Sequence, residues 1–169
     1  MTLTSKALLL IAAGALAACS TSADRFGAGG FGSGAGGIDQ TGLGDPTSVA
    51  YFQSQVGDRV LFVVDTSTLT PQAEETLRGQ AQFLMANGDY TAIIEGHADE
   101  RGTREYNLAL GARRAASVRD FLVAQGVAAN RLRTVTYGKE RPLEICSEEA
   151  CYAQNRRAVT VLGAAGLGS

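Results

Sequence analysis

The stretch from His97 to Leu122, HADERGTREYNLALGARRAASVRDFL, joins a loop crowded with charges to a pattern typical of an amphipathic helix. Its apolar residues recur three and four positions apart, which predicts a helix from about 107 to 125 that ends at Gly126. Arg114 falls inside the apolar arc of this helix, whereas its neighbour Arg113 points the opposite way, into solvent. Because a guanidinium within an apolar face must be paired, we expect a specific partner for Arg114.

Two kinds of partner are compatible with the position of Arg114. It lies near the helix start, where the backbone dipole also favours anions, and a guanidinium can grip a carboxylate in a two-pronged manner. Both features suit a bound carboxylate. The alternative is a structural arginine bonded to a neighbouring carboxylate or to chain ends, and at this point the sequence leaves both open.

The charged loop offers an acid to match this arginine. Asp99 lies where the preceding strand ends and the loop begins, a common place for binding residues in α/β architectures. Together the two side chains could read a zwitterion, with Asp99 for an ammonium and Arg114 for a carboxylate. Strand alternation also predicts Glu95 and His97 on the same side as Asp99, with His97 as a hydrogen-bonded strand residue that shapes the site.

Other chemistry for these acids has less support in the sequence. Asp65 closes an earlier strand pattern and could add a second acceptor, although an Asx-turn leading into a helix explains it equally well. Catalytic zinc sites usually use more than one histidine, and this chain has only His97. No motif for a nucleophile or an oriented general acid is visible. We therefore expect no metal, no cofactor and no catalysis.

The rest of the chain predicts a small α/β fold of the α+β sandwich type. Thr70-Pro71 opens a first helix, with the hydroxyl as N-cap, and Asn87-Gly88 ends it. Apolar or alternating runs predict four strands, at 60–64, from 91, at 131–137 and at 158–162. Strands that alternate with helices in this way predict a small mixed four-stranded sheet with two main helices on one face.

The N-terminus has the pattern of an export signal. Lys6 precedes an apolar run from 7 to 17 that is shorter than the about 20 residues of a membrane span and has the length of a signal-peptide core. The sequence that follows, Leu16-Ala17-Ala18-Cys19, resembles a lipoprotein cleavage site. It predicts a signal peptide at 1–18, with an ordinary secretory signal and an incidental cysteine as the alternative.

A tether and a globular domain follow the signal. Residues 19–47 are rich in glycine and predict a flexible linker, and 48–169 have a globular pattern. Acylation of Cys19 would anchor the chain in a bilayer, since each buried methylene contributes about 0.8 kcal/mol. In the lipoprotein class that this stretch resembles, a serine after the cysteine implies export to the outer membrane. The net charge of −2 argues against nucleic acid as a partner.

Three blocks in order carry a family resemblance: GHADERGTREYNLALGARRA from Gly96, YGKERP from Tyr137 and AQNRRAVTV from Ala153. Over about 59–162 the chain resembles the peptidoglycan-associated lipoproteins (Pal) of the Tol–Pal system, within the larger family of OmpA-like peptidoglycan-binding domains. The resemblance implies an OmpA-like domain in the periplasm, on a lipid anchor in the outer membrane. It also implies non-covalent binding of the diaminopimelate in uncrosslinked peptidoglycan stem peptides.

The resemblance extends to partners and to a cellular role. It implies binding to TolB and, through TolA, a connection to the energised inner membrane that draws the outer membrane inward during cell division and keeps the envelope intact. Two alternatives remain at the level of the sequence. One is another OmpA-like wall-binding lipoprotein without Tol partners, and the other is a periplasmic enzyme that acts on the cell wall.

The resemblance also assigns roles to single residues. The family's key aspartate falls on Asp99 and its key arginine on Arg114, the arginine that helical geometry selects. Gly111 stands where the family usually has serine, and Val63 stands where Pal often has the first aspartate of F-D-x-D. With His97 from the strand pattern, the other residues expected at the ligand are Asp65, Asn107 and Leu110.

The segment before the last strand is expected to support the fold and to have no part in the site. Cys146 and Cys151 could bind a metal or act as a redox pair in the cytosol, but after export a disulfide is the better interpretation. We expect this disulfide to be a local staple worth about 2–3 kcal/mol. Asn155, Arg156 and Arg157 match the family's closing NRR and are expected to support the fold, with a partner surface as a further role.

Overall fold

Four strands form a mixed sheet within residues 44–164, the part of the chain that the computed structural model describes. The strands are β1 (Arg59–Leu61), β2 (Tyr90–His97), β3 (Leu132–Gly138) and β4 (Arg157–Ala164). Their spatial order is β1-β4-β2-β3. β4 pairs antiparallel with both β1 and β2, and β2 pairs parallel with β3. The predicted mixed, four-stranded sheet is confirmed.

Two long helices share an apolar core with this sheet. The helices are α1 (Val49–Tyr51), which continues into a π-helical segment (Phe52–Gly57), α2 (Pro71–Ala86), α3 (Arg104–Ala124) and α4 (Glu149–Asn155). Leu77 and Leu84 of α2 pack with Leu122 of α3 against Ile94 of β2, and all four side chains are fully buried. Burial of each such side chain contributes roughly 1.5–3 kcal/mol relative to exposure.

Hydroxyl caps fix where both long helices begin. The Thr70 side chain accepts from the backbone N–H of Ala73 at 3.2 Å, as the Thr-Pro pattern predicts. Thr103 does the same for Tyr106, also at 3.2 Å. This second cap starts α3 at Arg104, earlier than the periodicity of its apolar residues indicates, because the first turn of the helix faces the groove rather than the core.

Helix α3 crosses β2 at unusually close range, and two glycines make this possible. A Cβ on Gly96 would lie 1.9 Å from the carbonyl oxygen of Gly111. A Cβ on Gly111 would lie 2.4 Å from the Thr136 hydroxyl and 2.8 Å from the carbonyl oxygen of Gly96. The departure from serine at Gly111 therefore has a physical reason, since here a side chain at this position would push α3 away from the sheet.

The structure differs from the sequence predictions at β1 and at the short helices. The predicted strand 60–64 ends at Leu61, and Val63 is 58% exposed. The chain turns away from the sheet after Phe62, whose backbone N–H bonds to the carbonyl of Arg156. α1, the π-helical segment and α4 were not predicted, because each is too short to show a helical period.

The disulfide between Cys146 and Cys151 is present, as predicted. No helix within residues 44–164 is long and apolar enough to cross a membrane. The predicted signal peptide, the predicted acylation of Cys19 and most of the predicted tether at 19–47 lie outside the described residues.

Candidate functional site

A groove of about 270 Å³ opens where β2 ends, between the loops that follow β1 and β2 and the first turns of α3. Five of the six residues predicted to face a ligand line it: Asp65, Asp99, Asn107, Leu110 and Arg114. The groove is completed by Val64, Arg101, Gly102 and Tyr106. The topology therefore brings together side chains that are up to 49 positions apart in the sequence, from residue 65 to residue 114.

Arg114 is fully buried at the base of the groove and bonds to the backbone. Its Nε donates to the carbonyl oxygen of Thr66 at 2.8 Å, and its Nη1 donates to that of His97, also at 2.8 Å. Nη2 donates to the carbonyl oxygen of Val63 at 3.2 Å. The partners of Arg114 within the fold are thus main-chain carbonyl oxygens, whereas the sequence suggested a carboxylate or chain ends. The guanidinium ties the loop after β1 to the end of β2.

The charge of Arg114 is retained in spite of its burial. Burial lowers the pKa of Arg114 to about 10, and the nearby carboxylate of Asp99 opposes this shift. At neutral pH the guanidinium is therefore still protonated. The ring of Phe62 lies 5.1 Å from its central carbon, so one face of the cation rests on an aromatic surface.

Asp99 is the matching anion, and two arginines hold it. Its Oδ2 accepts from Arg101 Nη2 at 2.7 Å and from Arg156 Nη1 at 3.2 Å. Among the residues that the structure describes, its Oδ1 accepts only from the backbone N–H of Arg101, at 3.3 Å. Burial alone would raise the pKa of Asp99, but the hydrogen bonds from these arginines outweigh it and hold the pKa below its usual value. The carboxylate is ionised at neutral pH.

Asp65 occupies a strained position at the rim of the groove. Its backbone has φ of 57°, in the left-handed region that residues other than glycine adopt rarely. Its carboxylate accepts a hydrogen bond from the hydroxyl of Tyr106, and this bond raises the pKa of Tyr106. The structure shows no Asx-turn bond at Asp65 within the described residues. The left-handed backbone instead directs this carboxylate toward α3.

Asn107 and Leu110 shape the wall of the groove that α3 contributes. The side-chain amide of Asn107 donates to the carbonyl oxygen of Arg101 at 2.7 Å and so fixes the charged loop. The same loop also accepts a hydrogen bond from Lys139, whose Nζ lies 2.8 Å from the carbonyl oxygen of Gly102. Leu110 is buried and gives the groove an apolar surface.

His97 is placed differently from the prediction. Gly96 faces α3, so the adjacent His97 side chain points to the other face of the sheet, beside the ring of Tyr137 at 5.5 Å. A register irregularity at Gly96/His97 ends the regular alternation, which is why Asp99 does not share the side of His97. Only the main-chain carbonyl of His97 reaches the site, through Arg114.

The environment of the His97 ring keeps it neutral. Both ring nitrogens are buried and form no well-aligned hydrogen bond with any residue of 44–164, and Nε2 lies 3.6 Å from a carboxylate oxygen of Glu95. Burial is the main cause that lowers the pKa of His97 to about 4, and the positive charges of Arg157 and Arg141 add to it. A hydrogen bond with the backbone of Arg141 opposes this fall in the pKa of His97, so the predicted bonding of this strand residue is not contradicted.

Sequence reasoning missed the groups that surround Asp99. Arg101 and Arg156 both bind its carboxylate, and Glu149 in turn accepts from Arg156 Nη2 at 2.5 Å. Arg101 stands two positions after Asp99, a spacing that could have signalled the pair. Arg156 was expected to support the fold or to form part of a partner surface, and not to bind Asp99. No group of side chains that could hold a metal ion occurs within residues 44–164.

Comparison with known proteins places this chain in a family. Residues 61–156 match the OmpA family. The chain is 53% identical over 131 residues to the peptidoglycan-associated lipoprotein of Agrobacterium fabrum, an alignment that covers 78% of this chain and 74% of the relative. The chain belongs to the peptidoglycan-associated lipoproteins of the OmpA family.

Further members of this family agree with the assignment. The peptidoglycan-associated lipoprotein of Rhizobium meliloti is 56% identical over 125 residues, or 74% of this chain and 71% of the relative. The crystal structure of the peptidoglycan-associated lipoprotein from Burkholderia pseudomallei superposes with a TM-score of 0.64 at 39% identity, and covers 72% of this chain and 98% of that one. Membership of this family makes the chain a binding protein and not an enzyme, as the sequence predicted.

Proposed function

We propose that the groove binds the zwitterionic end of diaminopimelate in uncrosslinked peptidoglycan stem peptides, with Asp99 for its ammonium and Arg114 for its carboxylate. One observation supports this above the others. A single groove of about 270 Å³ presents an ionised aspartate and a buried arginine, in a chain whose relatives are named peptidoglycan-associated lipoproteins. Opposite charges at fixed positions suit a ligand that carries one amine and one carboxylate at its free end.

The hydrogen bonds within the groove leave donors and acceptors for such a ligand. Three bonds to carbonyl oxygens use three of the five N–H groups of Arg114, and the other two can donate to a carboxylate. On Asp99 the less occupied Oδ1 is the natural acceptor for an ammonium. Leu110 offers an apolar surface for the methylene chain between the two charges. Because both charged groups are already held in place, little side-chain entropy is lost on binding.

Calorimetric titration of the full chain in detergent micelles with a diaminopimelate-containing stem peptide tests this proposal. Asp99→Asn removes a charge without a change of shape, and Arg114→Lys keeps a charge but removes the planar fork, so each is expected to weaken binding at least about tenfold. Arg113→Ala is the matched control, since Arg113 is exposed on the same helix. Equal affinity in all four proteins, with unchanged circular dichroism, would place the ligand elsewhere.

We further propose that acylated Cys19 anchors the protein in the inner leaflet of the outer membrane, with the domain in the periplasm. The lipoprotein-type signal supports this, as do the lipoproteins among its relatives. Metabolic labelling with radioactive palmitate should mark the protein and should fail to mark Cys19→Ser. A label that persists in this variant contradicts the anchor.

We also propose TolB as the protein partner, and TolA through it, in a role in cell division and envelope integrity, because the chain resembles the lipoprotein of the Tol–Pal system. Co-purification of TolB with the full chain tests this separately from wall binding. A chain that binds the stem peptide but never TolB would be a wall-binding lipoprotein without Tol partners.

A further inference from the structure

We propose that Glu149 is a positioning residue for ligand binding, which holds the guanidinium groups of Arg101 and Arg156 between two carboxylates so that Asp99 remains available to an ammonium. This inference rests on the proposed function of the groove. It concerns a residue that does not line the groove and that acts through its neighbours.

The contacts form an alternating chain of charges. Arg156, which is 5% exposed, donates from Nη1 to Asp99 at 3.2 Å and from Nη2 to Glu149 at 2.5 Å. Arg101 Nη2 lies 2.7 Å from Asp99 and 3.7 Å from Glu149. Each arginine is therefore shared between the two acids. Without Glu149, both cations would be attracted to Asp99 alone.

The charge of the whole cluster depends on Glu149. The cluster consists of six charged groups: Asp65, Asp99, Glu149, Arg101, Arg114 and Arg156. The three acids and three arginines sum to zero charge, and loss of Glu149 leaves one positive charge. A net positive charge beside Asp99 repels the ammonium that the groove is proposed to bind.

The disulfide fixes Glu149 in this position. Glu149 is the first residue of α4 and lies between Cys146 and Cys151, so the disulfide encloses it in a turn. Asn155, which is fully buried, holds the start of the same turn by accepting from the backbone N–H groups of Leu143 at 2.7 Å and Glu144 at 3.0 Å. The segment expected from sequence to be only a local staple thus places a charge of the binding site.

Calorimetry on the full chain in detergent, with the diaminopimelate-containing stem peptide, compares Glu149→Gln with Glu148→Gln. Both variants lose one charge at adjacent positions, but the Glu148 side chain makes no ion pair within the described residues. Glu149→Gln is expected to weaken binding about fivefold, a modest loss because Glu149 is well exposed. Glu148→Gln should stay within about twofold of the wild type, and Glu149→Asp should recover part of the loss.

A carboxyl NMR titration of Asp99 separates positioning from general damage. If Glu149 shares the arginines, its loss strengthens their hold on Asp99 and lowers the pKa of Asp99 further. A rise in that pKa together with weaker binding would indicate a disordered cluster and would overturn the inference, as would wild-type affinity in Glu149→Gln. Failure of the wild-type chain itself to bind the peptide would overturn the proposed function, and this inference with it.

Discussion

The close crossing of α3 over β2 makes Gly96→Ala the sharpest test of how the groove is built. A methyl group at this position would lie 1.9 Å from the carbonyl oxygen of Gly111, 2.6 Å from its carbonyl carbon and 3.2 Å from the Cβ of Ala115. Two of these atoms belong to the backbone of a long helix and cannot rotate away. To reach an ordinary contact distance α3 must move outward by about 1.5 Å, which opens the core layer between helix and sheet.

The loss of stability is therefore expected at the upper end of the range that overpacked cores show. We expect Gly96→Ala to lower the free energy of unfolding by about 3 kcal/mol or more. Because α3 carries Asn107, Leu110 and Arg114, the same shift should also weaken stem-peptide binding. Urea unfolding followed by circular dichroism measures the first effect, and calorimetry measures the second.

Gly88→Ala is the control for this substitution. A Cβ there meets no atom within 4 Å, and its backbone has no left-handed φ. Its free energy of unfolding should stay unchanged or rise by up to about 1 kcal/mol, because alanine restricts the unfolded chain. Equal stability of Gly96→Ala and Gly88→Ala would refute the close contact between α3 and β2.

Three further predictions concern other parts of the molecule. The pKa of His97 is about 4 in the folded protein and about 6.5 in the unfolded chain, so the unfolded state binds more protons between these values. The free energy of unfolding should therefore rise with pH across this window, by about 3 kcal/mol in all. In urea unfolding measured from pH 4 to 7, His97→Gln should flatten that rise. Reduction of Cys146–Cys151 with a dithiol should lower the free energy of unfolding by about 2 kcal/mol and weaken stem-peptide binding, whereas unchanged affinity would return the disulfide to a purely structural role. Tyr106→Phe removes the hydroxyl that bonds to Asp65, so the variant should unfold at a slightly lower temperature than the wild type in thermal unfolding, and an unchanged melting temperature would show that this exposed hydrogen bond contributes nothing measurable.

The spacing of residues along the sequence was sufficient to predict features that lie within a single helix. The 3.6-residue repeat distinguishes Arg114 from Arg113, and the structure finds the first fully buried and the second exposed. The hydroxyl and proline at Thr70-Pro71 define the start of α2 for the same reason, since a cap is a local interaction.

Features that depend on several elements were beyond the sequence alone. Simple alternation placed His97 beside Asp99, but the irregularity at Gly96/His97 and the end of β2 separate them. The early end of β1 reflects backbone bonds to Arg156 and Arg114, which are about 50 to 95 positions away along the chain. Glu149 has no local signal at all, because its role exists only once α4 has folded against the charged loop.

The three carbonyl bonds of Arg114 have a consequence for how ligand and scaffold communicate. The side chain proposed to hold the ligand's carboxylate also joins the loop after β1 to the end of β2 through its hydrogen bonds. A bound ligand would therefore stabilise the folded state by RT ln(1 + [L]/Kd) through mass action. Wall occupancy would then be recorded in the melting temperature of the domain.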